Sequence, residues 1–522
     1  MNNNKISPLK KNRNFSRRNF ITACGACGAC LALSPFSVFS SNTRITSSTR
    51  MKIRVIYSLH DLVQPRPDWP NIGFRFEPVI NDINDSLRKQ FPLFEFVSTT
   101  ASGEDDAKKI LVQDEQQKID GYIVYQMNCW NRVVQTIAKS MKPVLYVDFQ
   151  YGGSGGFLVY NSAFLNENQP NVGFVSSSRF SDLAESVKCF EITGNGGRVE
   201  DFVAAVKKAR MKSTPSAGKN SWKPDQFNAL SADECKRRLK ETKILAVKDQ
   251  NSRSAKPVMG IALEYIPFSE VNKAWENADM DEAAAVAEKW QNNASGVVDV
   301  ATNEMINSAA MYLGMKSVLK QYNANAITIN CLGGFYGNHI HAYPCLGFHE
   351  LNNEGLIGAC ECDISSTATM VAFTAMANGR PGYISDPVID TSKRQIIYAH
   401  CVAPNKMFGP DGPANSYVIM NHSEDRQGAS VRSVLPVDYL TTTLKMNNSR
   451  KEIIFHQAKA VDNDPDDRAC RTKLCAEPIG DIEKLFTHWH DWGWHRVTFY
   501  GDLKEPVYEL AEAAGWSVIE EA

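Results

Sequence analysis

The sequence predicts an α/β protein: two α/β domains with largely parallel sheets, then a C-terminal domain of α+β or barrel-like architecture. Before residue 330, short apolar runs alternate with helical stretches, which is typical of parallel strands connected by helices. The last third has short strands, many Gly and Pro residues, and nine of the ten His residues. A length of 522 residues accommodates three domains of roughly 100–200 residues each.

The N-terminal α/β domain is predicted over residues 51–200. Its first strand is an apolar run that ends in a polar loop, and the predicted strands are 51–58, 121–126, 144–148 and 172–175. A helix is predicted over 76–90, where apolar residues recur at helical spacing. The Gly-rich run 152–156 lacks the Lys of a phosphate-binding loop, so we expect a flexible turn there.

A second α/β domain is predicted over residues 201–330, with a polar linker near 211–236 that is rich in Pro, Ser and Lys. Its predicted strands are 243–247, 258–263 and 326–331, and long helices are predicted around 280–290 and 302–322. The remaining residues, 331–522, form the predicted C-terminal metal-binding or catalytic domain.

Residues 1–40 are predicted to be a twin-arginine export signal. The segment 16–21 carries Arg17 and Arg18 before an uncharged stretch, and the first 40 residues hold six basic residues and no acidic one. An uncleaved anchor is the alternative, but Gly25, Gly28 and Pro35 interrupt the apolar stretch. We therefore expect a periplasmic protein that is carried by the twin-arginine translocase and keeps no stable membrane span after removal of the signal.

The charge balance argues against a nucleic-acid partner. The whole chain has 57 basic and 58 acidic residues, and without the signal the net charge is −7, so the basic surface of a nucleic-acid-binding protein is missing. Ten cysteines remain after the signal, too few for a disulfide scaffold. We expect at most a couple of bridges, with Cys470 and Cys475 close enough in sequence to close a short loop.

Two carboxylates two residues apart form the first part of a candidate metal site. Glu361 and Asp363 follow the predicted end of a buried strand, and on an extended chain their side chains would point to the same side. Two like charges at this spacing repel each other unless a cation neutralises them. Several His residues follow later in the chain, and a mixed carboxylate and imidazole set suits Mn²⁺, Fe²⁺ or Zn²⁺ better than Ca²⁺.

Three sequence features together resemble the L-fucose isomerase and L-arabinose isomerase fold family, and more specifically the L-fucose isomerase-like proteins. They are the two α/β domains, the Cys-Glu-Cys-Asp segment 360–363, and the late Trp-His-Arg-Val-Thr-Phe-Tyr-Gly-Asp segment 494–502. The resemblance covers nearly all of residues 52–522. It implies two Rossmann-like α/β domains followed by the C-terminal catalytic domain.

This resemblance implies a sugar isomerase that interconverts aldoses and ketoses through an enediol, with a divalent metal, usually Mn²⁺. Asp363 matches the second carboxylate of the family pattern and is preceded by Glu361. These two are the candidate catalytic residues, and Asp363, His495 and Glu361 are the implied metal ligands. Cys345, His400 and Trp494 are the candidate substrate-binding residues. The resemblance also implies a homo-oligomer, a trimer or a hexamer, and a small sugar as substrate.

One expected ligand has no match at its expected position. The first carboxylate of the family should lie about two dozen residues before Asp363, but the segment 339–345 contains no acidic residue. Either Glu361 or a Cys or His residue takes this role, or the site no longer transfers the proton. Two alternatives therefore stand beside the isomerase: a carbohydrate-binding protein without catalysis, and a metal-dependent epimerase, lyase or hydrolase.

Overall fold

The computed structural model describes residues 50–522. The predicted export signal lies outside the described residues, so the periplasmic location stays a prediction. Within residues 50–522, none of the helices combines the length and the apolar character needed to cross a membrane. This described part forms one compact unit that contains two parallel-strand sheets and a barrel.

The first sheet confirms the predicted N-terminal α/β fold. Five parallel strands lie in the order β2-β1-β3-β4-β5, and their bounds are Met51–Ser58 (β1), Phe94–Ala101 (β2), Gly121–Gln126 (β3), Val144–Asp148 (β4) and Val172–Val175 (β5). Only β2 was not predicted. The chain order reverses between β1 and β3, and ligands of open α/β sheets bind at the carboxyl ends of strands beside such a reversal.

Seven helices accompany this sheet: Glu77–Gln90 (α1), Glu104–Gln117 (α2), Val133–Ala138 (α3), Ser154–Asn166 (α4), Phe180–Val187 (α5), Phe190–Gly194 (α6) and Val199–Ser213 (α7). The expected flexible turn at 152–156 is wrong, because α4 begins within it. Its glycines permit close packing instead. A Cβ atom on Gly153 would lie 1.9 Å from the carbonyl oxygen of Gln126, and one on Gly155 would lie 2.5 Å from the ring of Trp494.

The second sheet has the order β11-β10-β6-β8-β7, parallel except for the β7–β8 pair. Its strands are Lys243–Val247 (β6), Arg253–Val258 (β7), Ile261–Ile266 (β8), Ala326–Ile329 (β10) and Ile357–Cys360 (β11). The predicted strand 258–263 is wrong, because Met259 and Gly260 have positive φ and form the turn between β7 and β8. Residues 214–231, within the predicted linker, contain no helix or strand.

Helices on this sheet are Ala232–Lys240 (α8), Phe268–Glu276 (α9), Met280–Asn293 (α10), Thr302–Gln321 (α11), Cys331–Tyr336 (α12), Cys345–Asn353 (α13) and Ile364–Met376 (α14). The long predicted helices are thus present as α10 and α11. A small third sheet joins Gly296–Val298 (β9), Tyr417–Met420 (β14) and Ser430–Ser433 (β15) in the order β15-β14-β9.

Six antiparallel strands close into a barrel in the region where barrel-like strands were predicted. The ring runs β16-β19-β12-β13-β18-β17 and returns to β16, and β20 pairs in parallel with β17. The bounds are Tyr383–Asp390 (β12), Gln395–His400 (β13), Leu440–Asn447 (β16), Glu452–Asn463 (β17), Thr472–Pro478 (β18), Arg496–Tyr500 (β19) and Ser517–Glu520 (β20). Two short helices, Trp489–Trp492 (α15) and Lys504–Ala514 (α16), flank β19.

One rim of this barrel collects the chemically reactive side chains. Strand β13 ends at His400, which pairs with Thr472 at the start of β18, and Ser385 of β12 pairs with Arg496 at the start of β19. The residues next to these pairs, Asp386 and His495, therefore lie at the same rim. Glu361 reaches them from the end of β11 in the second sheet.

Candidate metal centre

Two carboxylates converge on one imidazole nitrogen at the barrel rim. Nε2 of His495 lies 3.2 Å from Oε2 of Glu361 and 3.0 Å from Oδ1 of Asp386, and ligand atoms of the three residues all lie within 4.8 Å of one another. Despite the short distance, Oδ1 of Asp386 is buried without a hydrogen-bond partner. Donor atoms that converge in this way, without hydrogen-bond geometry, are typical of a cation site.

The backbone directs Glu361 into the site by leaving the strand early. Strand β11 ends at Cys360, and Glu361 and Cys362 have φ values of 63° and 53°, in the left-handed region that non-glycine residues rarely adopt. The expected extended segment is therefore wrong, and Glu361 and Asp363 do not lie side by side on a strand. Strained backbone of this kind is concentrated at functional sites.

Asp363 supports the site from the other side of the imidazole ring. It is the N-cap residue of α14, where its side chain accepts hydrogen bonds from the backbone and hydroxyl of Ser366. Its Oδ2 also lies 2.8 Å from Nζ of Lys445 and 3.0 Å from Nδ1 of His495. Of the three predicted ligands, Glu361 thus contacts Nε2 of His495, whereas Asp363 contacts Nδ1 on the opposite side of the same ring.

Asp386 joins two histidines through its two carboxylate oxygens. Oδ1 faces His495, and Oδ2 lies 2.9 Å from Nδ1 of His400. The second ring nitrogen of His400, Nε2, is buried and has no hydrogen-bond partner. The predicted substrate-binding residue His400 therefore contacts Asp386 on the side that faces away from His495 and leaves its Nε2 without a partner.

The electrostatics of this group favour a positive charge at its centre. Although burial lowers it, the carboxylates of Glu361 and Asp386 raise the pKa of His495 well above its usual value. Burial raises the pKa of Asp386, but His400 and His495 outweigh burial and hold it below its usual value. Burial also raises the pKa of Asp363, but Lys445 and His495 outweigh burial and hold it well below its usual value. A bound cation would replace the proton that His495 otherwise retains.

The donor set fits a divalent metal ion. Two carboxylate oxygens and one imidazole nitrogen suit Mn²⁺, Fe²⁺ or Zn²⁺, as predicted. Octahedral bonds of about 2.1 Å separate neighbouring ligand atoms by about 3 Å. Nε2 of His495 lies 3.0 Å from Oδ1 of Asp386 and 3.2 Å from Oε2 of Glu361, and both distances match that value.

The other predicted substrate-binding residues lie at different depths. Trp494 is half-buried, donates from its indole N–H to the carbonyl of Pro387, and contacts Trp69 and Trp130 at ring-centroid distances of 5.0 and 6.3 Å. These tryptophans come from the loops after β1 and β3 of the first sheet. Cys345, by contrast, is buried at the start of α13, outside the group of Glu361, Asp386 and His495.

Asp386 is the candidate metal ligand that the sequence analysis missed. It lies in a strand whose residues are all buried, and an acidic residue in such a strand is rare. It follows Glu361 by 25 residues, the spacing that the resemblance implies for the two carboxylates. The missing carboxylate of the site was expected before Asp363, but the carboxylate that lies beside Glu361 is Asp386, which follows it in sequence.

The ten cysteines of residues 50–522 all have free thiols, so the suggested bridge between Cys470 and Cys475 is wrong. Cys475 lies on strand β18, whereas Cys470 precedes that strand at the barrel rim. The thiol of Cys470 lies 3.9 Å from Oδ2 of Asp386, and the hydroxyl of Ser423 lies 3.5 Å from the sulfur of Cys401. Two thiols therefore lie beside the site.

Comparison with known proteins gives partial matches. No family model matches the chain. A sulfoquinovose isomerase from Priestia aryabhattai is 24% identical over 155 residues, which cover 29% of this chain and 34% of that protein. The sulfoquinovose isomerase of Alkalicoccus urumqiensis is 28% identical over 90 residues, 17% of this chain and 20% of that protein. The match thus spans about a third or less of the length of these relatives.

Among solved structures, XylFII of a XylFII–LytSN complex aligns with 56% of this chain and 85% of its own, at 13% identity. Its TM-score of 0.15 is too low to support a conclusion about this fold. The sequence matches relate part of the chain, at low identity, to sulfoquinovose isomerases.

Proposed function

We propose that this chain is a divalent-metal-dependent sugar isomerase that interconverts an aldose and a ketose through an enediol. The observation that carries the proposal is the convergence of Glu361 and Asp386 on Nε2 of His495, at 3.2 and 3.0 Å. The partial matches to sulfoquinovose isomerases support it independently. Manganese, the metal implied by the resemblance, belongs to this proposal.

The ligand assignment differs from that implied by the sequence pattern alone. Glu361, Asp386 and His495 would hold the metal, and Asp363 would orient His495 through Nδ1. A carboxylate behind a metal-binding imidazole fixes the tautomer and the ring orientation of the ligand. This assignment also restores the missing carboxylate, because Glu361 takes the first position and Asp386 the second.

The chemistry of the chain's own residues follows from their exposure. The bound metal would polarise the carbonyl and the neighbouring hydroxyl of an open-chain sugar. Glu361 is the more exposed carboxylate, so it would accept the proton from one carbon and return it to the adjacent carbon. Asp386, held by His400, stays ionised. The face of the half-buried Trp494 would pack against the carbon chain of the sugar, whereas Nε2 of His400 is buried and lies out of reach of a bound sugar.

The test is incorporation of solvent deuterium. The purified protein, loaded with Mn²⁺, is incubated in D₂O with a panel of aldoses and ketoses that includes sulfoquinovose, the sugar in the names of the relatives. We expect NMR to show deuterium on the carbon beside the carbonyl of one sugar, together with formation of its isomer. The Asp386→Asn variant should show neither product nor deuterium.

Glu520→Gln is the matched control, because this exposed carboxylate pairs only with Lys504 and Tyr508 at the surface. It should retain the exchange rate of the unchanged protein. Saturable sugar binding without deuterium incorporation at any metal loading would overturn the proposal and favour the non-catalytic carbohydrate-binding alternative. Product formation without deuterium on carbon would favour another reaction class.

A further inference from the structure

A second group of potential metal ligands lies directly behind the candidate centre. Asp386, His400, Cys401 and Cys470 are each no more than 5% exposed. Strand β13 ends at His400 and Cys401 follows it directly, while Cys470 precedes strand β18, to which β13 is paired. The pairing therefore brings two thiols and one imidazole together at the buried side of Asp386.

The distances in this group approach those of a tetrahedral site. Oδ2 of Asp386 lies 2.9 Å from Nδ1 of His400 and 3.9 Å from Sγ of Cys470, and ligand atoms of the three residues lie within 4.8 Å of one another. Tetrahedral zinc bonds of about 2.0–2.3 Å would separate oxygen from nitrogen by about 3.3 Å and oxygen from sulfur by about 3.5 Å. The two measured pairs, Asp386 with His400 and Asp386 with Cys470, each differ from these values by about 0.4 Å.

A second thiol and a supporting shell lie beside these three donors. The hydroxyl of Ser423 lies 3.5 Å from the sulfur of Cys401 and 3.9 Å from the sulfur of Cys470. The backbone N–H of Arg471 points at the sulfur of Cys401 from 3.5 Å. Hydrogen-bond donors around sulfur atoms are the usual outer shell of a thiolate metal site.

We propose that Asp386, His400 and Cys470 form a second site for a zinc-type divalent cation, with Asp386 bridging it to the first and the thiol of Cys401 beside it. A thiolate and an imidazole select a borderline-soft ion, whereas the oxygen-rich first site suits Mn²⁺. Binding displaces the thiol proton of Cys470 to solvent, and the proton of His400 resides on Nε2. The inference rests on the proposed function only in sharing Asp386 and His400.

Zinc stoichiometry of the purified protein tests this site. After saturation with Zn²⁺ and removal of the excess, elemental analysis should find two equivalents in the unchanged protein. One equivalent should remain in Cys470→Ser, which loses the second site, and one in Glu361→Gln, which loses the first. Cys475→Ser is the matched control, a buried thiol of strand β18 outside the group, and should keep two equivalents.

Cobalt substitution reports the ligands without relying on the folding of a variant. The Co²⁺-loaded unchanged protein should show a thiolate-to-cobalt charge-transfer band, which Glu361→Gln retains and Cys470→Ser loses. A single equivalent of zinc in the unchanged protein without that band would overturn the second site. A disulfide between Cys401 and Cys470, detected as two missing thiols in the denatured protein, would also overturn it. Neither result alters the deuterium test of isomerisation.

Discussion

His495 and Arg496 are neighbours in sequence, yet they lead to two buried charged clusters of different kinds. The Arg496 cluster is complete: its guanidinium binds Glu521 at 2.6 Å, and Glu521 accepts a hydrogen bond of 2.9 Å from His456. The other ring nitrogen of His456 lies 2.6 Å from the hydroxyl of Tyr398. Arg496, Glu521 and the side chain of His456 are fully buried.

The His495 cluster, in contrast, is incomplete in its hydrogen bonding. Buried atoms of Asp386 and His400 lack hydrogen-bond partners there, and carboxylates converge on a single imidazole nitrogen. Buried polar groups are normally paired within the protein. A buried ion pair is destabilising to break, whereas buried polar atoms without partners indicate a candidate binding site. The difference teaches how to separate a structural ion pair from a binding site when both are equally buried.

The largest expected effect is on catalysis at the incomplete cluster. Glu361→Gln should lower kcat by about 10²–10⁴-fold, because it removes the proposed proton-transfer group. Its free energy of unfolding without metal should change less than that of a variant at the complete cluster, since a repelling carboxylate is lost. Steady-state kinetics and urea unfolding measure the two effects. Equal losses of activity and stability would erase the distinction between the clusters.

The complete cluster should show the opposite balance. Glu521→Ala should lower the free energy of unfolding by about 3–5 kcal/mol, because the guanidinium of Arg496 is left buried and unpaired. Glu520→Ala, at the exposed neighbouring position, is the control and should change stability by less than about 0.5 kcal/mol. Urea unfolding followed by tryptophan fluorescence gives both values. Similar stability in the two variants would contradict a structural role for the buried pair.

Acid should weaken the complete cluster in a defined pH range. Against burial, Arg496 and His456 lower the pKa of Glu521 to about 2 from its ordinary value of 4.5. A lowered carboxyl pKa contributes stability that is present above 4.5 and is lost as the pH falls towards 2, here about 3 kcal/mol. Unfolding measured between pH 5 and 2 should show this slope in the unchanged protein. The Glu521→Gln variant should lack that component, and an unchanged slope would contradict the assignment.

The smallest effect separates a ligand from a residue that orients one. Asp363→Asn should weaken metal binding by about 10–100-fold without abolishing it, because asparagine still caps α14 but no longer fixes His495 as firmly. Asp386→Asn should abolish binding at this centre. Isothermal titration with Mn²⁺ compares the two variants. Complete loss of binding in Asp363→Asn would restore Asp363 as a ligand.

Many strands and helices could be predicted from the local sequence pattern. Strands such as β1, β3 and β4 are apolar runs bounded by polar loops, and α11 has long helical periodicity, so both were predicted near their observed bounds. Prediction failed where neighbours decide the backbone. The glycines at 152–156 begin a helix because Gln126 and Trp494 approach too closely for side chains, and residues 259–260 turn rather than extend.

The α/β class and the candidate site could both be predicted from the residues alone, because carboxylates and histidines cluster in the last third and resemble a known pattern. Glu361, Asp363 and His495 were predicted in this way, and they lie in contact. The arrangement of these residues around His495 depends on the folded chain. Asp386 looks like any strand residue until β12 pairs with β19 and brings it to His495. Strand register joins residues more than a hundred positions apart, and no local periodicity records that pairing.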